Sequence, residues 1–359
     1  MADKVLERCW AELDFMKLLD DPTCHLAWLT HLKTAPVIAI DYAAPGGEHD
    51  GSVRLVLGGA NTSMHAMFKP CSSSRSNPTR ELIAYHVDRA LLLHRVPATV
   101  LRRFAWTELW ATRPFGAIQE ALMRIKSSCS SHDPDYVTGV LQGWTKFDMK
   151  LIDRIDDDFA KEIWRQRTPT TPQIEFSRLM IALFVNGIET DLFQHVAELD
   201  EPEGVAKALL ASGRALERRR LLLGIERGHS SWASSKYVLP TSRETPCQRT
   251  QQDSQFRCQL FADKKDTPEQ LAGRVLMFLR SACLFPRRPA ERVQQFSSKW
   301  SEKLSHVVEE EMRKAGRDIV QKPPPEWSGQ VLDERIEQLG DMIEQCVRVF
   351  GSVESLFED

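Results

Sequence analysis

Residues 67–100 read MFKPCSSSRSNPTRELIAYHVDRALLLHRVPATV, and the order of their parts decides the architecture. The stretch opens on the end of MHAMF (64–68), a strand-like run that finishes at Lys69-Pro70. CSSSRSNPT (71–79) follows as a polar loop. Asn77 or Thr79 is suited to cap a helix from Arg80 to about Leu93, with Leu82, Ile83, Val87, Ala90 and Leu91 as its apolar face. Arg95-Val-Pro-Ala-Thr-Val closes that helix and opens a further strand, TVLRRFAW. A lysine late in a strand, Lys69, thus precedes a glutamate early in the next helix, Glu81.

Upstream, VIAIDY (38–43) and SVRLVLGG (52–59) read as strands, the second alternating Val53, Leu55 and Leu57 with polar residues. Gly58-Gly59-Ala60-Asn61 reads as a hairpin turn leading back toward Lys69. Val5, Trp10, Leu13, Met16 and Leu19 have helical spacing. Downstream, 107–118 is expected to cross between lobes. Segments 135–166, 174–187, 268–284, 288–316 and 330–350 carry apolar residues at helical spacing. Residues 228–257, rich in Ser, Thr and Gln, read as a long loop, and Pro323-Pro324-Pro325 as a stiff spacer. A strand-containing first third before a helical remainder predicts an α+β protein of two lobes.

Composition narrows the class. Hydrophobic content of 42% with 27% charge describes a soluble globular chain. A net charge of −3 supplies no strong pull toward nucleic acid or anionic lipid. No run approaches the ~20 apolar residues of a membrane span. The opening MADKVLERCWAELDF has no apolar core, so the chain reads as cytosolic or as one that has lost its leader. The 8 cysteines (9, 24, 71, 129, 247, 258, 283, 346) include no C-x-x-C pair, which argues against zinc. They are free thiols in a cytosolic protein and bridges in a secreted one. Asn61-Thr62-Ser63 is a glycosylation sequon. Asp153, Asp156, Asp157 and Asp158 lack the glycines and spacing of a calcium loop and read as a solvated helix face. His195 and His229 have no matched ligand partners.

The words around Lys69 carry a resemblance. Met67-Phe68-Lys69-Pro70, Arg80-Glu81-Leu82-Ile83-Ala84-Tyr85-His86-Val87-Asp88-Arg89 and Arg95-Val96-Pro97-Ala98 resemble the secretory-pathway (Golgi) kinase family, closest to its four-jointed branch. Leu279–Arg288, Trp300–Leu304 and Leu332–Glu337 resemble its later helices. The resemblance implies an atypical protein-kinase-like two-lobed fold. Its parts would be an N-terminal helical extension (1–34), a small β-containing N-lobe (35–115) and a mostly helical C-lobe (116–359). It also implies a nucleotide site at Lys69, Glu81, Gly58 and Gly59, with ATP and Mg or Mn as cofactors, and a Cys283–Cys346 bridge. Two buried free thiols remain the other reading of that cysteine pair. The family resides in the Golgi lumen or outside the cell.

The family's catalytic positions are poorly matched. Its catalytic Asp-Arg pair falls on Glu189 and Thr190, or after a two-residue slip on Asp191, and its downstream amide on Gln194. Its metal-binding Asp falls on Ala211, which has no ligand atom. Three readings follow. One is a pseudokinase that binds a protein partner, such as an active relative or a substrate. Another is a divergent kinase that phosphorylates Ser/Thr or sugar hydroxyls, with Glu189 or Asp191 orienting the hydroxyl and Gln194 on the metal. The third is a helical scaffold without a nucleotide site.

Overall fold

The structure is a computed structural model. It describes residues 2–11, 21–43, 52–59, 63–70, 78–129, 133–144, 149–151, 177–185 (without 179 and 183), 196–199, 221–224, 247–249, 256–258, 279–280, 283, 285–295, 300–315 and 329–350. Contacts divide the chain into two units. The first holds Met1–His86, Val96–Asp148 and Ser305–Pro324, and the second holds Val87–Arg95, Met149–Leu304 and Pro325–Asp359.

In the first unit, β1 (Val37–Ala43), β2 (Val53–Gly58), β3 (Ser63–Pro70), β4 (Thr99–Ala105) and β5 (Tyr136–Gly143) form a five-stranded sheet in the order β1-β2-β3-β5-β4. All its pairings are antiparallel. Along β2, Val53, Leu55 and Leu57 are fully buried and alternate with half-buried neighbours, as expected for a strand covered on one face. β5 corrects the helical reading of 135–166. YVTGVLQG lies between β3 and β4 and is buried from Val137 to Gly143, so it shows no alternation to mark it as a strand.

The helices of this unit are α1 (Ala2–Ala11), α2 (Pro22–Thr34), α3 (Pro78–Ala90), α4 (Trp106–Ala111) and α5 (Gly116–Cys129). Residues 107–118, expected to leave the lobe, instead form α4 and the start of α5, and the chain returns to the same sheet as β5. Asp21 caps α2. Its carboxylate accepts from the Thr23 and Cys24 amides at 2.7 and 3.1 Å, and these bonds, the Cys24 bond foremost, hold it below its ordinary pKa. Cys24 is bridged to Cys9 of α1. The indole of fully buried Trp28 lies where a side chain on Gly143 would stand, so that glycine lets α2 settle on the sheet.

α3 begins in the first unit and ends in the second, where buried Asp88 accepts from the Arg95 amide at 2.8 Å and closes the turn after the helix. The second unit also holds a three-stranded sheet, β6 (Met149–Leu151), β7 (Val196–Leu199) and β8 (Leu221–Gly224), and the pair β9 (Cys247–Arg249) and β10 (Phe256–Cys258). β9 and β10 fall within or at the edge of the stretch read as loop. α6 (Arg287–Gln294) and α8 (Gly329–Phe350) belong to this unit, and α7 (Trp300–Ala315) passes from it into the first. No described helix is long and apolar enough to cross a membrane.

Candidate functional site

β3 brings Lys69 to the penultimate position of the strand, and α3 brings Glu81 to within reach. The Lys69 ammonium donates to Glu81 Oε1 at 2.9 Å, with side chains only 7% and 4% exposed. Glycine makes the approach of β5 possible. A Cβ at Gly139 would sit on the Lys69 carbonyl oxygen and 2.6 Å from Pro70 Cα. Isolating two charges from water costs several kcal/mol per ion, and the pair recovers this only through close contact.

The register sets the neighbours of Lys69. It stands opposite Val140, and Met67 opposite Gln142, so these four share one face of the sheet. On β4, Thr99 stands opposite Gln142 and Leu101 opposite Val140. Thr99 Oγ1 donates to the Pro97 carbonyl at 2.8 Å and accepts from Gln142 Nε2 at 3.4 Å. Sequence reading missed Gln142 because the strand that carries it was read as helix.

The glycine pair lies elsewhere. Gly58 stands opposite Ser63, at the far end of β3 from Lys69. Ser63 and Lys69 stand six positions apart along the strand, about 20 Å at the usual rise. Gly58 and Gly59, expected at the nucleotide, therefore lie away from the Lys69 end of β3. The connection at the Lys69 end is the one from β1 to β2, since Val53 pairs with both Ala43 and Phe68. Its sequence, APGGEHDG (44–51), holds Gly46, Gly47 and Gly51 and lies outside the described residues. The signal that could have found it is the Pro-Gly-Gly run between two strands.

On the same helix as Glu81, His86 of α3 approaches Glu311 of α7 at 3.4 Å, as does Lys33 of α2. Burial pushes the Glu311 carboxyl up. His86, then Lys33, outweigh that by hydrogen bond and charge and hold it below its ordinary value.

In the second unit, Glu189, Asp191, Gln194 and Ala211 lie outside the described residues. The helical residues just before them are described through Val185, whose carbonyl accepts from buried Arg335 of α8 at 3.2 Å. Cys283 and Cys346 are joined as a disulfide. Among the described residues no group of three or more His, Cys, Asp or Glu could hold a metal ion. The fit of a metal thus rests on residues not described, whereas Lys69 with its carboxylate fits a phosphate.

No family model matches the chain, and no curated protein matches it. Solved structures do. Hydra Fam20 with sugar is similar over 95% of this chain and 94% of that one, with a TM-score of 0.50 and 14% identity. The Golgi casein kinase is similar over 94% of this chain and 79% of that one, with a TM-score of 0.51 and 14% identity. At such identity the likeness is one of fold: the chain shares the α+β fold of the Golgi casein kinase and of hydra Fam20.

Proposed function

We propose that this kinase-like protein binds the phosphates of a nucleotide at Lys69, transfers them poorly or not at all, and acts by binding a protein partner. The buried Lys69–Glu81 pair carries the reading. A buried ion pair holds little stability over apolar residues of the same size, so an ammonium kept at a strand end favours an anionic ligand. ATP with Mg or Mn is the ligand that the fold suggests. Ala211 argues against transfer. In the alignment implied by the four-jointed resemblance it replaces a metal-binding Asp, and without that metal the charge on the moving phosphoryl group goes unneutralised.

The structural relatives suggest what the partner or acceptor is. One is a casein kinase by name and the other was solved with sugar, so a protein or a glycan-bearing protein fits. The Cys9–Cys24 and Cys283–Cys346 bridges favour an oxidising compartment over the cytosol.

A second reading, a divergent but active kinase, is favoured by Glu189 and Asp191, which follow shortly after the Val185 carbonyl held by Arg335. Thermal shift with ATP plus Mg²⁺ or Mn²⁺ tests both. A rise in Tm that Lys69→Met removes supports the nucleotide site. No rise with any nucleotide sinks it and leaves a scaffold. Phosphate transfer that Glu189→Ala or Asp191→Ala abolishes would replace the pseudokinase reading with the active one.

A further inference from the structure

Resting on the nucleotide reading above, we propose that Gln142 selects the base of the bound nucleotide, accepting adenine and disfavouring guanine. Three observations carry this. The first is position. Gln142 stands opposite Met67, two residues along β3 from Lys69 and on the same face, about 7 Å along the strand. Lys69 is the next-to-last residue of β3, so β2 and β3 run from it only toward Met67 and Gln142, while β4 and β5 alone continue past it to Ala105 and Tyr136. A nucleotide with its phosphates at Lys69 and its base over β3 lays that base beside Gln142. Met67 and Val140, both buried, supply the apolar surface for it.

The second is orientation. Thr99 has one hydroxyl hydrogen, and it goes to the Pro97 carbonyl. Toward Gln142 its oxygen therefore only accepts, so the amide turns its Nε2 to Thr99. Oε1 is the atom left for a ligand. Among the described residues no donor reaches it. Thr99 and Gln142 are each 1% exposed, so water does not compete for this chain of bonds.

The third is chemistry. A carbonyl oxygen takes a donor. Adenine presents an amine at its six position, whereas guanine and hypoxanthine present an oxygen there. Opposed acceptors in a dry site leave both unsatisfied, which costs more than a missing bond.

Titration calorimetry with ATP, GTP and ITP, each with Mn²⁺, tests the proposal. The wild type should bind ATP on the order of tenfold more tightly than GTP or ITP. Gln142→Leu should bring the three to within about twofold. Thr99→Val, nearly isosteric, frees the amide to turn and should raise the affinity for GTP and ITP relative to ATP. Lys69→Met should weaken all three alike. Equal binding of the three by the wild type, or a preference that survives Thr99→Val and Gln142→Leu, overturns the proposal. Should Gln142→Leu fail to fold, Thr99→Val decides alone. If no nucleotide binds the wild type, the nucleotide reading fails and this one with it. Binding without preference removes only the base selection.

Discussion

Lys69 and Glu81 illustrate how a charge becomes useful by being enclosed. Each would be unremarkable on a surface, where ion pairs contribute about 0–1 kcal/mol. Here both side chains are nearly out of water, at 7% and 4% exposure, so removing one partner strands the other. Lys69→Met should lower unfolding stability by about 3–5 kcal/mol in denaturant titrations. Lys69→Met combined with Glu81→Leu should recover most of that loss, because apolar residues of similar volume replace a buried pair at little cost. A single variant as stable as the wild type would show that the pair is not dry. The lysine and the glutamate were legible in sequence because both sit in short words of fixed order. Gln142 was not, since a buried amide in an apolar strand has no local signature.

At the scale of elements, backbone proximity and capping do the positioning. Gly139 admits β5 against the carbonyl of Lys69, and Gly143 admits the Trp28 indole, so glycines set the strand and helix spacing around the site. The end of α7 is held by Glu311, between His86 of α3 and Lys33 of α2. The Glu311 carboxyl is held below its usual 4.5, so its contribution is fully present above that value. It disappears as pH falls through the lower folded value. Acid unfolding of Glu311→Gln should therefore begin from lower stability at neutral pH and lose less of it below about pH 4.5 than the wild type does. Parallel curves for the two proteins would show that α7 is held by other contacts. The helix α3 was readable from its apolar spacing. The strand β5 was not, because burial on both faces erases alternation.

Over the whole molecule the chain passes between its two units several times, leaving the first at Val87, returning at Val96, leaving again at Met149 and returning at Ser305. Within the second unit Cys283 is bridged to Cys346 across 63 residues of sequence. Closing a loop of that length stabilises the fold by about 4 kcal/mol in the chain-entropy account. Cys346→Ala should lower stability by about that amount, and a non-reduced peptide map should return Cys283 and Cys346 in one species. An unchanged denaturation midpoint on reduction would show that the bridge contributes nothing. Sequence by itself determined the mixed class, the strand–lysine–helix–glutamate order and the poor match at the catalytic positions, because each depends on residues close along the chain. Tertiary structure alone decided that Gly58 lies at the far end of β3 from Lys69. It also decided that YVTGVLQG is a central strand, and that Thr99 and Gln142 share the face of Lys69. Those facts depend on register between strands distant in sequence, and register is set by which faces are buried when the sheet closes.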